Sequence, residues 1–253
     1  MKNPTLVELM EAGVHFGHKK ERSHPQAKDF VFTLREGVFV IDLDKTVIYL
    51  EKAIDYLKKE INLGHTILFV GTKRQVKDIV KETAMSLGMP YVTKRFLGGT
   101  LTNFETIKKN LSILEDLENK TKSPEFAELT KKEKKIITDK LERLLATFEG
   151  VRSMKSLPDV IFVVGAKKEN IAITEADKMA IPIIAICDTD ADPRKINYPI
   201  PANDDAPKSV ELIINIIKDS LAVKSQPDIK KEADKKEKSK TITKSKKKAK
   251  KNC

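Results

Sequence analysis

Four short apolar runs punctuate the chain: "HTILFVG" (65–71), "PDVIFVVG" (158–165), "IPIIAICDT" (181–189) and the shorter "NYPIP" (197–201). They are continuous, rich in β-branched residues, and bounded by glycine, proline or acid. A strand covered on both faces has no wet side, so continuous runs of this kind predict buried parallel strands. Nearer the start, "DFVFTLREGVFVIDL" (29–43) holds two apolar runs around Arg35, Glu36 and Gly37, the pattern of a β-hairpin. Between the runs the period changes to three and four. Val47, Leu50, Ile54, Leu57 and Ile61 share one helical face that stops at Gly64; Val76, Ile79, Val80 and Leu87 share another that stops at Gly88. "ENIAITEADKMA" and "APKSVELIINIIKDSLAV" follow the later strands as further helices. Strand alternating with helix predicts βαβ crossovers and a doubly wound α/β sheet.

Residues 103–154 break this rhythm. Phe104, Ile107, Leu111, Leu114 and Leu117 form one narrow stripe; Leu129, Ile136, Leu141, Leu144, Leu145 and Phe148 form a second, beyond a polar turn. Two such seams predict an antiparallel, coiled-coil-like helical hairpin inserted into an α/β body made of residues 1–102 and 155–223. The pattern does not choose between a protein-binding arm, an RNA-reaching arm and a mere insertion.

Charge changes the picture at the C-terminal end. Residues 224–253 carry thirteen lysines against four acids, a balance of +9 out of the chain's +11. A lysine-rich, aromatic-free tail buries too little apolar area to offset ordering, so disorder is expected there. It reads as an arm that attracts nucleic acid, or else as a solubilising tail. The remaining body is nearly balanced. No apolar run approaches the roughly 20 residues of a membrane span, and the N-terminus lacks a signal-like apolar core. A cytoplasmic protein is expected, with no membrane partner. The two cysteines, Cys187 and Cys253, form no CxxC pair and suggest no structural disulfide.

Candidate chemistry gathers at the strand ends. "ILFVGTKRQ" and "IFVVGAKKEN" both run from an apolar strand through Val-Gly into two basic residues and a helix. Glycine admits a close approach, and a helix N-terminus offers free N–H groups, so Lys73, Arg74, Lys167 and Lys168 mark two anion sites on one carboxyl edge. Neither matches GxxxxGK[ST] or GxGxxG, which counts against a nucleotide enzyme. "TKRFLGGTLTNFETIKKN" (93–110) is more specific. Lys94 and Arg95 precede Gly98 and Gly99, and Thr100, Thr102 and Asn103 add short hydrogen-bonding groups, a set suited to following a sugar–phosphate backbone. Thr102 or Asn103 also fits a helix N-cap. Three of the four histidines lie in "GVHFGHKKERSHP" (13–25), while "CDTDADP" and "PANDDAP" concentrate acids. Carboxylates with an imidazole can hold a divalent metal, so His18, Asp188, Asp204 and Asp205 are candidate ligands for a structural zinc or magnesium ion, though none is required. The blander reading makes Asp204 or Asp205 a helix cap and Asp188 part of a turn. No nucleophile accompanies the histidines, so no catalytic residue is assigned.

"GVHFGHKK", "VFVIDLDKT", "RFLGGTLTNFETI", "PDVIFVVGAKKENIAITEADKMAIP" and "YPIPANDDA" together resemble the bacterial form of the universal small-subunit ribosomal protein two family, in order from about Thr5 to Ser220. The resemblance implies a flavodoxin-like three-layer parallel sheet with the hairpin inserted after Gly98-Gly99. It implies a structural constituent of the small ribosomal subunit that binds ribosomal RNA, helps dock ribosomal protein one and touches neighbouring small-subunit proteins. RNA contacts map to the 94–103 loop, the basic βα junctions and the hairpin. The family's tryptophans are missing: Phe96 and Phe104 stand at the loop positions, leaving an aromatic for stacking. A metal- or nucleotide-dependent α/β enzyme is the alternative, and a protein-recruiting adaptor is compatible with the ribosomal role.

Overall fold

A computed structural model describes residues 4–222; the lysine-rich segment 224–253 lies outside the described residues. In chain order the elements are α1 (Leu6–Glu11), β1 (Phe16–Lys19), β2 (Val31–Arg35), β3 (Val38–Ile41), α2 (Leu43–Asn62), β4 (Ile67–Val70), α3 (Lys77–Ser86), β5 (Tyr91–Val92), α4 (Phe104–Lys122), α5 (Pro124–Glu128), α6 (Lys131–Phe148), β6 (Val160–Val164), α7 (Asn170–Lys178), β7 (Ile183–Cys187), β8 (Tyr198–Pro201) and α8 (Pro207–Ala222). The four apolar runs become β4, β6, β7 and β8. They join β5 in one sheet, ordered β5-β4-β6-β7-β8 with every neighbour parallel. Counted from β4, that is the 2-1-3-4-5 order compatible with a flavodoxin-like doubly wound fold.

Side chains alternate across this sheet. Leu68, Val70, Ile161, Val163, Ile183 and Ala185 face one core with Ala172, Ile173 and Ala176 of α7 and the first turns of α4. Ile67, Phe69, Val160, Phe162, Ile184 and Ile200 face the other, against α2, α3 and α8 through Leu50, Ile54, Leu57, Val80, Val210 and Ile213. Helix α2 starts where Asp42 accepts hydrogen bonds from the backbone N–H groups of Asp44 and Lys45, as an N-cap should. The predicted hairpin forms as β2 and β3, turning at Glu36 and Gly37, both with positive φ. Strand β1 joins β3 in a separate three-stranded antiparallel sheet. Sequence reading missed β1 and β5 because "FGHK" has one apolar residue and "YV" is too short to show any period.

The stretch 103–154 is helical, with α4 and α6 in contact. Its first stripe holds: Phe104, Ile107, Leu111 and Leu114 are buried, and they lie in the core of the body rather than beyond it. The second stripe is out of phase at its start. Ile136 is 59% exposed, and Ile137 takes the inward position, giving the spacing 137, 141, 144, 145, 148. A paired Arg152–Glu118 contact at 2.7 Å ties the segment after α6 to α4. No described helix is long and apolar enough to cross a membrane.

Candidate nucleic-acid interface at the carboxyl edge

The two Val-Gly junctions end adjacent strands and are tied to each other. Glu169, buried at the end of the β6 junction, accepts hydrogen bonds from the Thr72 backbone N–H at 3.2 Å and from the Thr72 hydroxyl. The Lys168 ammonium donates to the Thr72 carbonyl at 3.0 Å. Lys73 departs from the anion-site expectation. Its ammonium sits 2.7 Å from Asp204 and 2.7 Å from Asp205, so its charge is directed inward. Gly165 makes room for it. At φ +86°, a Cβ there would stand 2.9 Å from Lys73 Cε and 3.3 Å from Asp204 Oδ2. The space that glycine was expected to open for a ligand is filled by the protein's own lysine. Arg74 and Lys167 are exposed, with Lys167 3.3 Å from Asp190.

The acids expected to bind metal do converge. His18 Nδ1 lies 3.1 Å from Asp188, and Nε2 lies 3.3 Å from Asp205 and 3.6 Å from Asp190. The Asp188 carboxylate, with help from Asp190 and Asp205, outweighs burial and raises His18 to about 9. At neutral pH both ring nitrogens therefore carry protons and neither offers a lone pair. Asp204 has only 1% of its side chain exposed, and its Oδ2 has no hydrogen-bond partner. Burial raises it to about 6, with Lys73 opposing and Asp188 adding to the shift. What stands here is a charge-compensated network with two internal cations. Among the described residues, no three His, Cys, Asp or Glu groups take a metal-holding arrangement. In the turn ahead of α8, Asn203 accepts from the N–H groups of Asp205 and Ala206, and Ser209 donates to the Asn203 carbonyl.

The paired-glycine loop follows β5, at the other end of the same edge. Lys94, Arg95, Gly98, Thr102 and Asn103 are exposed. Thr100 is buried and donates to the Leu97 carbonyl at 2.7 Å, which removes it from the outer surface. Phe96 and Phe104 are buried as well, so neither supplies the stacking face expected of it. Asn103 precedes α4 without a side-chain cap bond, and Thr106 donates to its Oδ1 at 2.9 Å. The loop's N–H groups do not face solvent: those of Gly99, Leu101 and Thr102 donate to the Glu175 carboxylate.

Strand order thus lays Lys94, Arg95, Arg74, Lys168 and Lys167 along the β5-β4-β6 side, with the acids at the ends of β7 and β8. The structure groups the expected basic residues except Lys73, and it adds Asp190, Thr189, Glu169 and Glu175, which carried no assignment. Thr189 accepts from the His18 N–H at 2.8 Å and anchors β1 against the edge. Glu175 left a signal in the sequence. It lies on the apolar face of α7 between Ala172 and Ala176, where a carboxylate needs a buried partner.

A sequence model of the family described as Ribosomal protein S2 matches residues 9–224. Curated relatives described as small ribosomal subunit protein uS2 align over most of the chain. That of Thermus thermophilus is 48% identical over 211 residues, covering 83% of this chain and 82% of the relative. That of Nitratiruptor sp. is 46% identical, covering 82% and 78%. That of Chloroflexus aggregans is 45% identical, covering 85% and 91%.

Proposed function

Because the chain belongs to the ribosomal protein S2 family, we propose that it contacts ribosomal RNA through the outward basic row Lys94, Arg95, Arg74, Lys167 and Lys168, with Thr102 and Asn103 beside it. Family membership makes it a structural, non-enzymatic component of the small ribosomal subunit, ribosome-bound in the cytoplasm. The enzyme alternative is set aside on that ground. The observation that carries the RNA reading is the exposure of these side chains on one sheet edge while the neighbouring charges turn inward. The same reading takes residues 103–154 as an inserted antiparallel hairpin on a flavodoxin-like body, supported by the strand order and the contact of α4 with α6.

Docking of ribosomal protein one belongs to the proposal. An apolar cleft of about 240 Å³, lined by Leu6, Met10, Phe32 and Leu43 among others, and the 75% exposure of Phe32 support it. A structural zinc or magnesium ion at His18, Asp188, Asp204 and Asp205 is a second proposal, supported by the convergence of the four. Loading it requires His18 to lose its proton and Lys73 to release Asp204.

One experiment tests the interface. Particles assembled without this protein are titrated with the full chain across a salt series. Each of Lys94→Ala and Arg95→Ala is expected to flatten the logarithmic salt slope by about 1, as one lost phosphate contact does. Phe32→Asp is expected to keep RNA affinity while losing protein one from the particle. Unchanged slopes in both basic variants refute the RNA assignment.

A further inference from the structure

Glu175 is a buried carboxylate, 8% exposed, on the inward face of α7. Its Oε1 accepts from the Gly99 N–H at 2.5 Å, and its Oε2 accepts from those of Leu101 at 2.9 Å and Thr102 at 3.2 Å. These three donors lie directly ahead of the nineteen-residue helix α4. Converging N–H groups there form a concavity that attracts anions, reinforced by the helix dipole; the Thr100 N–H between them turns to the Leu97 carbonyl instead. The sequence offers this loop as one suited to a sugar–phosphate backbone. In the structure a carboxylate from the protein's own α7 fills the concavity.

We infer that Glu175 is a positioning residue for RNA recognition, turning the loop's backbone donors inward and so fixing which side chains the loop shows. The inference rests on the proposed RNA contact of that loop. Several residues separate β5 from α4, and their anchors are few: Phe96 and Leu101 are buried, and Thr100 bonds within the loop. Charge-assisted hydrogen bonds in a dry site are the strong kind, and three on one carboxylate hold three residues at once. With them made, Lys94 and Arg95 on one side and Thr102 and Asn103 on the other stand on a fixed backbone. Without them, the buried donors turn to water and the loop samples many shapes. Apparent affinity then falls by the fraction of time the competent shape is occupied. Glu175 touches no RNA in this arrangement; it acts through the loop.

The test uses the full chain and small ribosomal particles assembled without it, at near-physiological salt and well below each variant's unfolding temperature. Glu175→Gln keeps one acceptor and is expected to weaken binding about tenfold, the scale of one lost charged hydrogen bond. Its loss should combine less than multiplicatively with Lys94→Ala/Arg95→Ala, since the loop's contacts are already impaired. Glu175→Ala opens the concavity, so acetate should restore part of its affinity where equal chloride does not. Restored affinity ties the loss to the emptied concavity, and the coupling to the basic pair separates positioning from a merely structural role. If Glu175→Ala does not fold, the Glu175→Gln affinity and its coupling to the basic pair decide the matter. Wild-type affinity in Glu175→Gln, or a loss that multiplies independently with Lys94→Ala/Arg95→Ala, overturns the inference while leaving the RNA reading intact. Wild-type binding by Lys94→Ala/Arg95→Ala instead removes the RNA reading of the loop, and this role with it.

Discussion

Replacing Lys73 by methionine keeps most of the side chain's apolar length and removes the ammonium that lies 2.7 Å from both Asp204 and Asp205. At that distance the gross attraction to Asp204 is about 6 kcal/mol for an effective dielectric near 20, most of it offset by dehydration of the two ions. The net effect is better worked through protonation. With Lys73 present, Asp204 titrates at about 6 against an ordinary 3.8, so ionising it already costs about 3 kcal/mol of stability at neutral pH. Without Lys73 its pKa rises further, and the folded variant holds a proton that the unfolded chain has lost. A raised carboxyl in the folded state lowers stability as pH rises, by about 1.4 kcal/mol per unit until its own pKa is passed. At pH 7 the added cost is about 1 to 2 kcal/mol, and the half-exposed Asp205 pair adds up to about 1. The expected deficit is therefore about 2 kcal/mol at pH 7, or roughly 4–8 °C in Tm. It should widen toward pH 8 and shrink below pH 6. Urea unfolding of wild type and Lys73→Met at pH 5.5, 7 and 8 measures it, and Lys73→Met/Asp204→Asn should show no such pH dependence. A deficit equal at all three pH values would mean that Asp204 does not depend on Lys73, and the argument would fail.

Three further outcomes are expected. His18 is raised to about 9 by Asp188 and its neighbours, so its stabilisation is complete below pH 6.5 and lost as pH rises through about 9. Thermal unfolding of wild type should show that alkaline loss and His18→Gln should not. Zinc, if the four candidate ligands take it, should stabilise wild type more as pH rises and leave His18→Gln unmoved. Gly165→Ala should destabilise by about 2 kcal/mol or more, because it adds a close contact with Lys73 to an unfavourable φ. Gly64→Ala, with φ +79° and open space around it, should cost only about 1 kcal/mol. Equal effects in urea titrations would refute the role given to the Lys73 contact.

What the sequence disclosed follows from how local each signal is. β4, β6 and β7 were legible because a strand buried on both faces writes itself as an unbroken apolar run, and α2, α3 and α8 because one covered face imposes a period near 3.6. β5 contributes two residues, too few for any pattern, although without it the paired-glycine loop has no strand to leave from. Ile136 and Ile137 are adjacent and equally apolar, and only the step of four back from Leu141, against a step of five, separates the inward one from the exposed one. Lys73 shows the deeper limit. A lysine after glycine at a strand end looks the same whether it awaits a phosphate or meets an aspartate 131 residues away. Phe96 and Phe104 are similar cases: an aromatic in a loop says nothing of which side it lies on.

Those limits share a physical origin that bears on function. In a doubly wound sheet the crevice beyond the strand ends is where ligands usually sit, and every group suited to a ligand stands at this edge. Yet the protein answers the inner ones with charges of its own. Lys73 supplies a cation to Asp204 and Asp205, His18 another to Asp188, and Glu175 an anion to the N–H groups ahead of α4. Buried charges with partners at fixed positions rigidify an edge, and they leave the fold's usual binding groups with little to offer a small molecule. What stays exposed is the outer rank: Lys94, Arg95, Arg74 and Lys168, on loops hydrogen-bonded to Glu169 and Glu175. A surface of that kind suits an extended polyanion better than a substrate, since binding energy comes from several cations kept at constant spacing and no single group has to change during the encounter.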